Sequence, residues 1–258
     1  MSGLVADRVS LTLGGTRVLD GVSVALARGR VTVVLGPNGA GKSSLLACLA
    51  DLRSPDTGGV TLDGVSLASL DRRERGQRIG LLPQAADIHW DVDVATLVGL
   101  GRFARRGRWG DNDADRQAVA RAMAVTDVTH FADRGVESLS GGERSRVLLA
   151  RVLAGEPEWL LADEPLTSLD PAHQLDVLDT LRNTAAAGTG VVVVLHDLNQ
   201  AARIADTLIV LQHGRVIAAG APVDVLTTDV IAAAFGIETH TGHTPDGRRF
   251  VIATGRMP

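Results

Sequence analysis

Cysteine occurs once, at Cys48, so no internal disulfide can form and a reducing compartment is expected. The thiol lies in the apolar stretch SSLLACLA, residues 43–50, which predicts a packed side chain rather than a reactive one. Positive charge is also short. Lysine and arginine number 26 against 30 aspartates and glutamates, a formal net charge of −4, which argues against sequence-independent nucleic-acid binding. Long apolar runs are missing: a run such as VVVVL at 191–195 is far too short to span a bilayer. Residues 1–20 mix charged and apolar side chains and hold no signal-peptide core. If a membrane matters to this chain, a partner must bring it there. Internal repeats and low-complexity linkers are absent as well.

With 45% hydrophobic and 22% charged residues over 258 positions, the composition is that of a folded chain, one large α/β domain with an inserted subdomain. The first thirty residues alternate and read as antiparallel strands at a sheet edge. VTVVLG at 31–36 is a continuous apolar run suited to a strand buried on both faces. A glycine-rich turn and a helix from about 41 to 51 follow, then the turn SPDTGG at 54–59, the strand GVTLDG and the buried strand IGLLPQ at 79–84. Between about 86 and 157 strand patterns give way to helical ones: ATLVGLGRFARR, ADRQAVARAMAV and the segment after LSGG. WLLADEP at 159–165 resumes the core, which the helix after Pro171, the strand GVVVVLH, the helix DLNQAARIA and the strand TLIVL complete as a doubly wound unit. HTPDGRRFVIATG reads as a closing hairpin turning at Asp246-Gly247.

GPNGAGKS at 36–43 fits the spacing G-x-x-x-x-G-K-[ST] and stands between a buried strand and a helix, where a phosphate-binding loop belongs. Phosphate oxygens need many close donors. The backbone of Gly36, Pro37, Asn38, Gly39, Ala40, Gly41, Lys42, Ser43 and Ser44 wraps tightly enough to supply them, with the helix N-terminus adding its positive end. Lys42 is placed for the β- and γ-phosphates and the Ser43 hydroxyl for Mg²⁺. At the end of a later buried strand, Asp163 is placed to hold the metal and Glu164 to polarise an attacking water. LSGGERSR at 139–146 poses a separate question: Ser140 suits a helix cap, but Gly141 and Gly142 weaken a first turn unless something approaches the backbone closely.

GPNGAGKS, LLPQ, LSGGE, ADEP, SLD and LHD occur in this order, and together they resemble the ATP-binding cassette (ABC) ATPase family over roughly residues 4–235. The resemblance implies one ABC ATPase domain over 1–258: a P-loop NTPase (RecA-like) α/β core with an N-terminal antiparallel β subdomain in 1–85 and 158–235, a helical subdomain in 86–157 and a C-terminal hairpin in 236–258. It implies ATP and Mg²⁺ as ligands. It also implies a head-to-tail pair of cassettes, each nucleotide lying between the P-loop of one copy and Ser140, Gly141 and Gly142 of the other. On the same resemblance Gln84 senses the γ-phosphate or Mg²⁺ and hinges the helical subdomain, and His196 contacts the γ-phosphate and orients the water. Ser168 and Asp170 would lie across the dimer interface.

Three departures from the family pattern stand out. The first hairpin usually carries an aromatic that stacks on adenine, but the chain has no tyrosine and places Leu13 there, so adenine would rest on Leu13 and Val18. Ser145 replaces a usual glutamine, and Ala162 replaces a bulky residue before Asp163. The basic cluster RFARRGRW at 102–109 reads as a solvated or partner-facing surface, and His240 and His243 as incidental.

Two classes follow: the energy-coupling subunit of a membrane transporter, or a soluble ABC ATPase of DNA maintenance, translation or iron–sulfur cluster assembly. No heptad run separates Ser43 from Asp163, which disfavours the DNA-maintenance type, and a single cassette disfavours the translation type. Length does not separate cluster assembly. DVDVATLVGLGRFARRG after Gln84 resembles the segment with which importers of iron–siderophore complexes, haem and cobalamin receive a coupling helix of the permease. That favours a peripheral importer ATPase on the cytoplasmic face of the inner membrane. Permease subunits would dock near 86–110, and a substrate-binding protein would act indirectly.

Overall fold

The computed structural model describes residues 3–84, 92–107, 112–244 and 249–257. Strands β1 (Leu4–Leu13) and β2 (Thr16–Leu26) pair antiparallel, Leu4 opposite Leu26, and β3 (Val31–Leu35) is buried along its whole length. Helix α1 (Lys42–Leu49) leaves the glycine loop, and β4 (Thr57–Leu62) and β5 (Val65–Ser66) follow. Helix α2 (Arg72–Arg78) buries none of its side chains and starts where Asp71 accepts from the Glu74 N–H. After β6 (Ile79–Leu82) come α3 (Val94–Gly99), α4 (Asp113–Val125) and α5 (Gly141–Ala154). Strand β7 (Trp159–Asp163), α6 (Pro171–Ala186), β8 (Gly190–Val194), α7 (Leu198–Ile204), β9 (Thr207–Gln212) and β10 (Arg215–Gly220) rebuild the sheet. Helices α8 (Pro222–Val225) and α9 (Thr228–Phe235) lead to β11 (Ile237–His243) and β12 (Arg249–Arg256).

The main sheet runs β10-β9-β3-β8-β7-β6, parallel except for the antiparallel edge β10. Its central strands β3, β8 and β7 bury both faces, as their uninterrupted apolar runs require. Val31, Val33 and Leu35 face a core shared with α5, α6 and α7, while Val34 faces α1 and the small sheet. The order places β3 beside β8 and one strand from β7, so the loops that follow these strands meet at one end of the sheet, where ligands of parallel sheets bind.

The N-terminal strands form the antiparallel β subdomain of the expected fold class, with β2 at the edge of its sheet. They join β4 and β5 in a separate sheet of order β2-β1-β4-β5, packed over α1. Alternation reports one buried face, not which sheet a strand joins. Helices α3, α4 and α5 enclose their own apolar core around Val98, Met123, Phe131 and Val147. The hairpin turn expected at Asp246-Gly247 lies outside the described residues.

Candidate functional site

The loop after β3 is shaped by close backbone approaches. Gly36 has φ +150, and a Cβ there would fall 2.2 Å from the Leu211 carbonyl oxygen; at Gly41, φ +101, it would fall 2.5 Å from that of Val18. Lys42 follows at the first turn of α1 and is 6% exposed. Its Nζ donates to the Gly36 and Pro37 carbonyls at 2.8 and 3.0 Å. Burial lowers its pKa, and the charges of Glu164 and Asp163 only partly offset that. A cavity of about 440 Å³ opens over residues 38–44 and is closed by Val18, Gln84, Glu164 and His196.

Asp163 ends β7 and is 8% exposed. Burial raises its pKa; the Ser43 hydroxyl pulls the other way, while the charge of Glu164 adds to the rise. Its Oδ1 is buried without a hydrogen-bond partner. Glu164 takes φ +50, unusual for a residue with a side chain, and its N–H donates to the Val194 carbonyl at 3.2 Å. That turn aims its carboxylate between two strand ends: Oε2 accepts from Gln84 Nε2 at 2.7 Å, and Oε1 pairs with His196 Nε2.

Sequence reasoning assembles this much of the site, but other positions fall elsewhere. Ser140, Gly141 and Gly142 do not line the cavity of their own chain. Ser140 caps α5 in a reciprocal box with Glu143: its hydroxyl accepts from the Glu143 N–H at 3.3 Å, and its own N–H donates to Glu143 Oε2 at 2.7 Å. Those bonds from Ser140 hold Glu143 below the usual carboxylate range. The glycines have a neighbour within the chain, since a Cβ on Gly142 would sit 3.2 Å from Leu169 Cδ2 and one on Gly141 3.5 Å from Ser168 Cβ. Asp170 caps α6, accepting from the His173 N–H at 2.9 Å and meeting His173 Nδ1 at 2.8 Å. Of the pair proposed for adenine, Val18 lines the cavity and Leu13 does not; both pack against the core beneath. His240 and His243 are exposed on β11, and Cys48 is buried, its thiol pushed up to about 11.

The basic cluster needs correction. Arg102 is 7% exposed and donates to Asp115 at 2.8 Å, the Ala154 carbonyl at 3.0 Å and Glu156 at 2.8 Å. Arg105 donates to the carbonyls of Gly155, Gln77 and Glu156 at 2.6, 3.1 and 2.7 Å. These two arginines therefore fasten the helical segment to its neighbours instead of facing a partner, while Phe103 between them is 76% exposed. Pairing over such sequence distances leaves no local signal; the acidic residues of the α4 start and the α5 exit were the only hint.

A buried lysine clamped to loop carbonyls, with a carboxylate oxygen left unpaired nearby, is a site shaped for a phosphate and its counter-cation, which makes the fold a P-loop nucleotide hydrolase. The description "ABC transporter" belongs to the family whose model matches residues 19–167. The chain belongs to the ABC transporter family and is an ATPase. Hemin import ATP-binding protein HmuV of Bordetella parapertussis is 43% identical over 261 residues, 97% of this chain and 99% of that one. Cobalamin import ATP-binding protein BtuD of Halobacterium salinarum is 44% identical over 238 residues, 92% of this chain and 60% of that one. Among solved structures, a metal-chelate type ABC transporter in an inward-facing conformation matches with TM-score 0.84 at 26% identity, covering 98% of this chain and 97% of that one. A bacterial ABC transporter cassette solved as a dimer matches with TM-score 0.77 at 28% identity, covering 85% of this chain and 98% of that one.

Proposed function

We propose that this chain is the ATP-hydrolysing, energy-coupling subunit of a membrane importer for an iron chelate or corrinoid, namely an iron–siderophore complex, haem or cobalamin. Hemin is the first substrate to test, because relatives identical at 43% over nearly the whole chain are named for hemin import. The observation that carries the enzymatic reading is Glu164, set at a strained φ and held between Gln84 and His196 at the mouth of the glycine loop.

In this reading Lys42 releases the loop carbonyls and donates to the β- and γ-phosphates, joined by the backbone N–H groups of 39–44. The unpartnered Asp163 Oδ1 beside the Ser43 hydroxyl fits a hard divalent cation such as Mg²⁺, with Gln84 as a further oxygen donor. That ion supplies charge neutralisation to the phosphates. Glu164 accepts a proton from the attacking water, and His196 orients that water and the γ-phosphate. Val18 lies under the base. A second copy brings Ser140, Gly141 and Gly142 to the γ-phosphate from a capped helix N-terminus, with its Ser168 and Asp170 at the interface.

No helix among the described residues is long and apolar enough to cross a membrane, so the chain reaches the membrane through permease subunits, on its cytoplasmic face. Those subunits dock near 86–110, a stretch of which 86–91 and 108–110 lie outside the described residues. A substrate-binding protein delivers cargo to the permease. The test is uptake into proteoliposomes holding this chain together with its permease subunits. ATP-dependent entry of hemin, lost with Glu164→Gln, is the expected result. Entry of cobalamin or a ferric siderophore instead reassigns the cargo, and ATPase that no permease stimulates removes the importer role.

A further inference from the structure

Both oxygens of Glu164 are engaged, one by Gln84 and the other by His196. Each carboxylate oxygen keeps a second lone pair, so Glu164 can still take a proton; but on the proposed reading His196 turns to the γ-phosphate and the water, and its bond to Glu164 then opens. Opening it removes the side-chain contact between the Glu164 and His196 loops and leaves the Glu164 N–H on the Val194 carbonyl at the strand ends. A second tie lies behind them. Gln200 Nε2 donates to Gln174 Oε1 at 2.7 Å, and Gln174 Nε2 donates to the carbonyls of Leu169 and Leu166 at 3.1 and 3.4 Å.

The two glutamines stand in corresponding places. Gln174 lies in the first turn of α6, its N–H on the Asp170 carbonyl at 2.9 Å, at the end of the loop that starts with Glu164. Gln200 lies in the first turn of α7, its N–H on Asp197 Oδ1 at 2.9 Å, next along the chain to His196. Glu164, the 166–169 loop, Gln174, Gln200, Asp197 and His196 thus form a closed circuit. Asn199 fastens α7 to the closing hairpin, accepting from the Val251 N–H at 2.8 Å and donating to its carbonyl at 3.1 Å.

We propose that Gln174 and Gln200 are a positioning pair for hydrolysis: they hold the Glu164 and His196 loops in register while the direct contact between those side chains is open. The 166–169 loop, whose Ser168 takes φ +67 and faces Gly141, is carried by the same pair. This rests on the assignment of Glu164 and His196 to the hydrolytic step. Neither glutamine touches the nucleotide cavity, so binding of ATP is separate from what they do.

The test is steady-state ATPase of the full chain at equal folded concentration, with Glu164→Gln run beside it. Gln174→Leu and Gln200→Leu should each lower kcat about two- to tenfold, the range of one neutral hydrogen bond. KM for ATP should change less than about twofold. The double variant should be no slower than the slower single, because both remove one tie. Gln200→Lys keeps a donor toward Gln174 and should restore most of kcat. Gln200→Glu keeps size and polarity on a half-buried position but sets acceptor against acceptor, and should lower kcat as the leucine does. Unchanged kcat in the leucine variants, additive losses, or a change confined to KM would overturn the positioning role while leaving Glu164 as base. Glu164→Gln with near-normal activity would instead remove the assignment on which the role rests.

Discussion

Two of the places where this chain buries charge treat it in opposite ways. Where the helical segment meets the main sheet, Arg102 finds two carboxylates and a carbonyl, and Arg105 finds three carbonyls, all from the same chain. Arg102 and Arg121 hold Glu156 below the usual carboxylate range against its partial burial. At the glycine loop, burial drives Lys42 down and Asp163 up, and one oxygen of Asp163 has no partner. Buried polar groups are ordinarily satisfied; Trp159 Nε1 and a few others are also unpartnered, but among the described residues Asp163 Oδ1 is the one bare buried carboxylate oxygen, and it lies where a cation would complete the set.

The largest effect that can test this contrast lies at Glu164. Glu164→Gln keeps the shape and the reach toward Gln84 and His196 but removes the basicity, and loss of a positioned base costs about 10²–10⁴ in rate. Lys42, Ser43 and the backbone donors are untouched, so nucleotide stays bound. On the proposed reading the variant elutes from a sizing column as a dimer with ATP and Mg²⁺ and as a monomer with ADP. Near-normal hydrolysis would move the role of base to His196. The junction should respond in stability rather than in turnover. Arg102→Met leaves Asp115 buried without its main ion-pair partner and with only the Asn112 N–H bonded to it, and the thermal midpoint should fall by roughly 6–15 °C. Arg102→Met combined with Asp115→Leu should recover most of that fall, because no buried charge is then stranded. A fall no smaller in the double variant would show that packing, not charge, holds the junction.

The same contrast separates what the sequence discloses from what it hides. Strands such as VTVVL and VVVVL are legible because a strand buried on both faces must be apolar throughout. The glycine loop is legible because a tight wrap requires glycine at fixed spacing. Helix α2, RRERGQR, is not, since it buries nothing and shows no period. Nor is β10, an exposed edge strand whose partly covered residues give no apolar run. Arg102 and Arg105 read as surface charge because their partners lie 13 to 54 residues away. Gln174 and Gln200, paired across 26 residues, carry no pattern at all. Local periodicity reports burial, whereas polar pairing is decided by the fold.

The smallest effect has the most telling sign. Burial raises the Asp163 pKa, with the Ser43 hydroxyl opposing and the charge of Glu164 assisting. The folded chain therefore disfavours the ionised form, and the cost is full above the raised value and fades as pH falls toward the ordinary carboxylate range. Asp115 behaves oppositely: the hydrogen bond from Arg102 and that from the Asn112 N–H lower its pKa, so it stabilises the fold at neutral pH and ceases to do so in acid. Asp163→Asn in metal-free buffer at pH 8 should accordingly raise the thermal midpoint, by roughly 1–5 °C if it resembles other relieved functional sites. The gain should shrink toward zero as pH approaches about 4, where an ordinary aspartate is already half protonated. With ATP and Mg²⁺ present the order should reverse, since only the parent chain holds the cation and is stabilised by binding. A lower midpoint for Asp163→Asn at pH 8 without metal would mean that this carboxylate is already compensated within the chain, like the junction, and is no open half of a metal site.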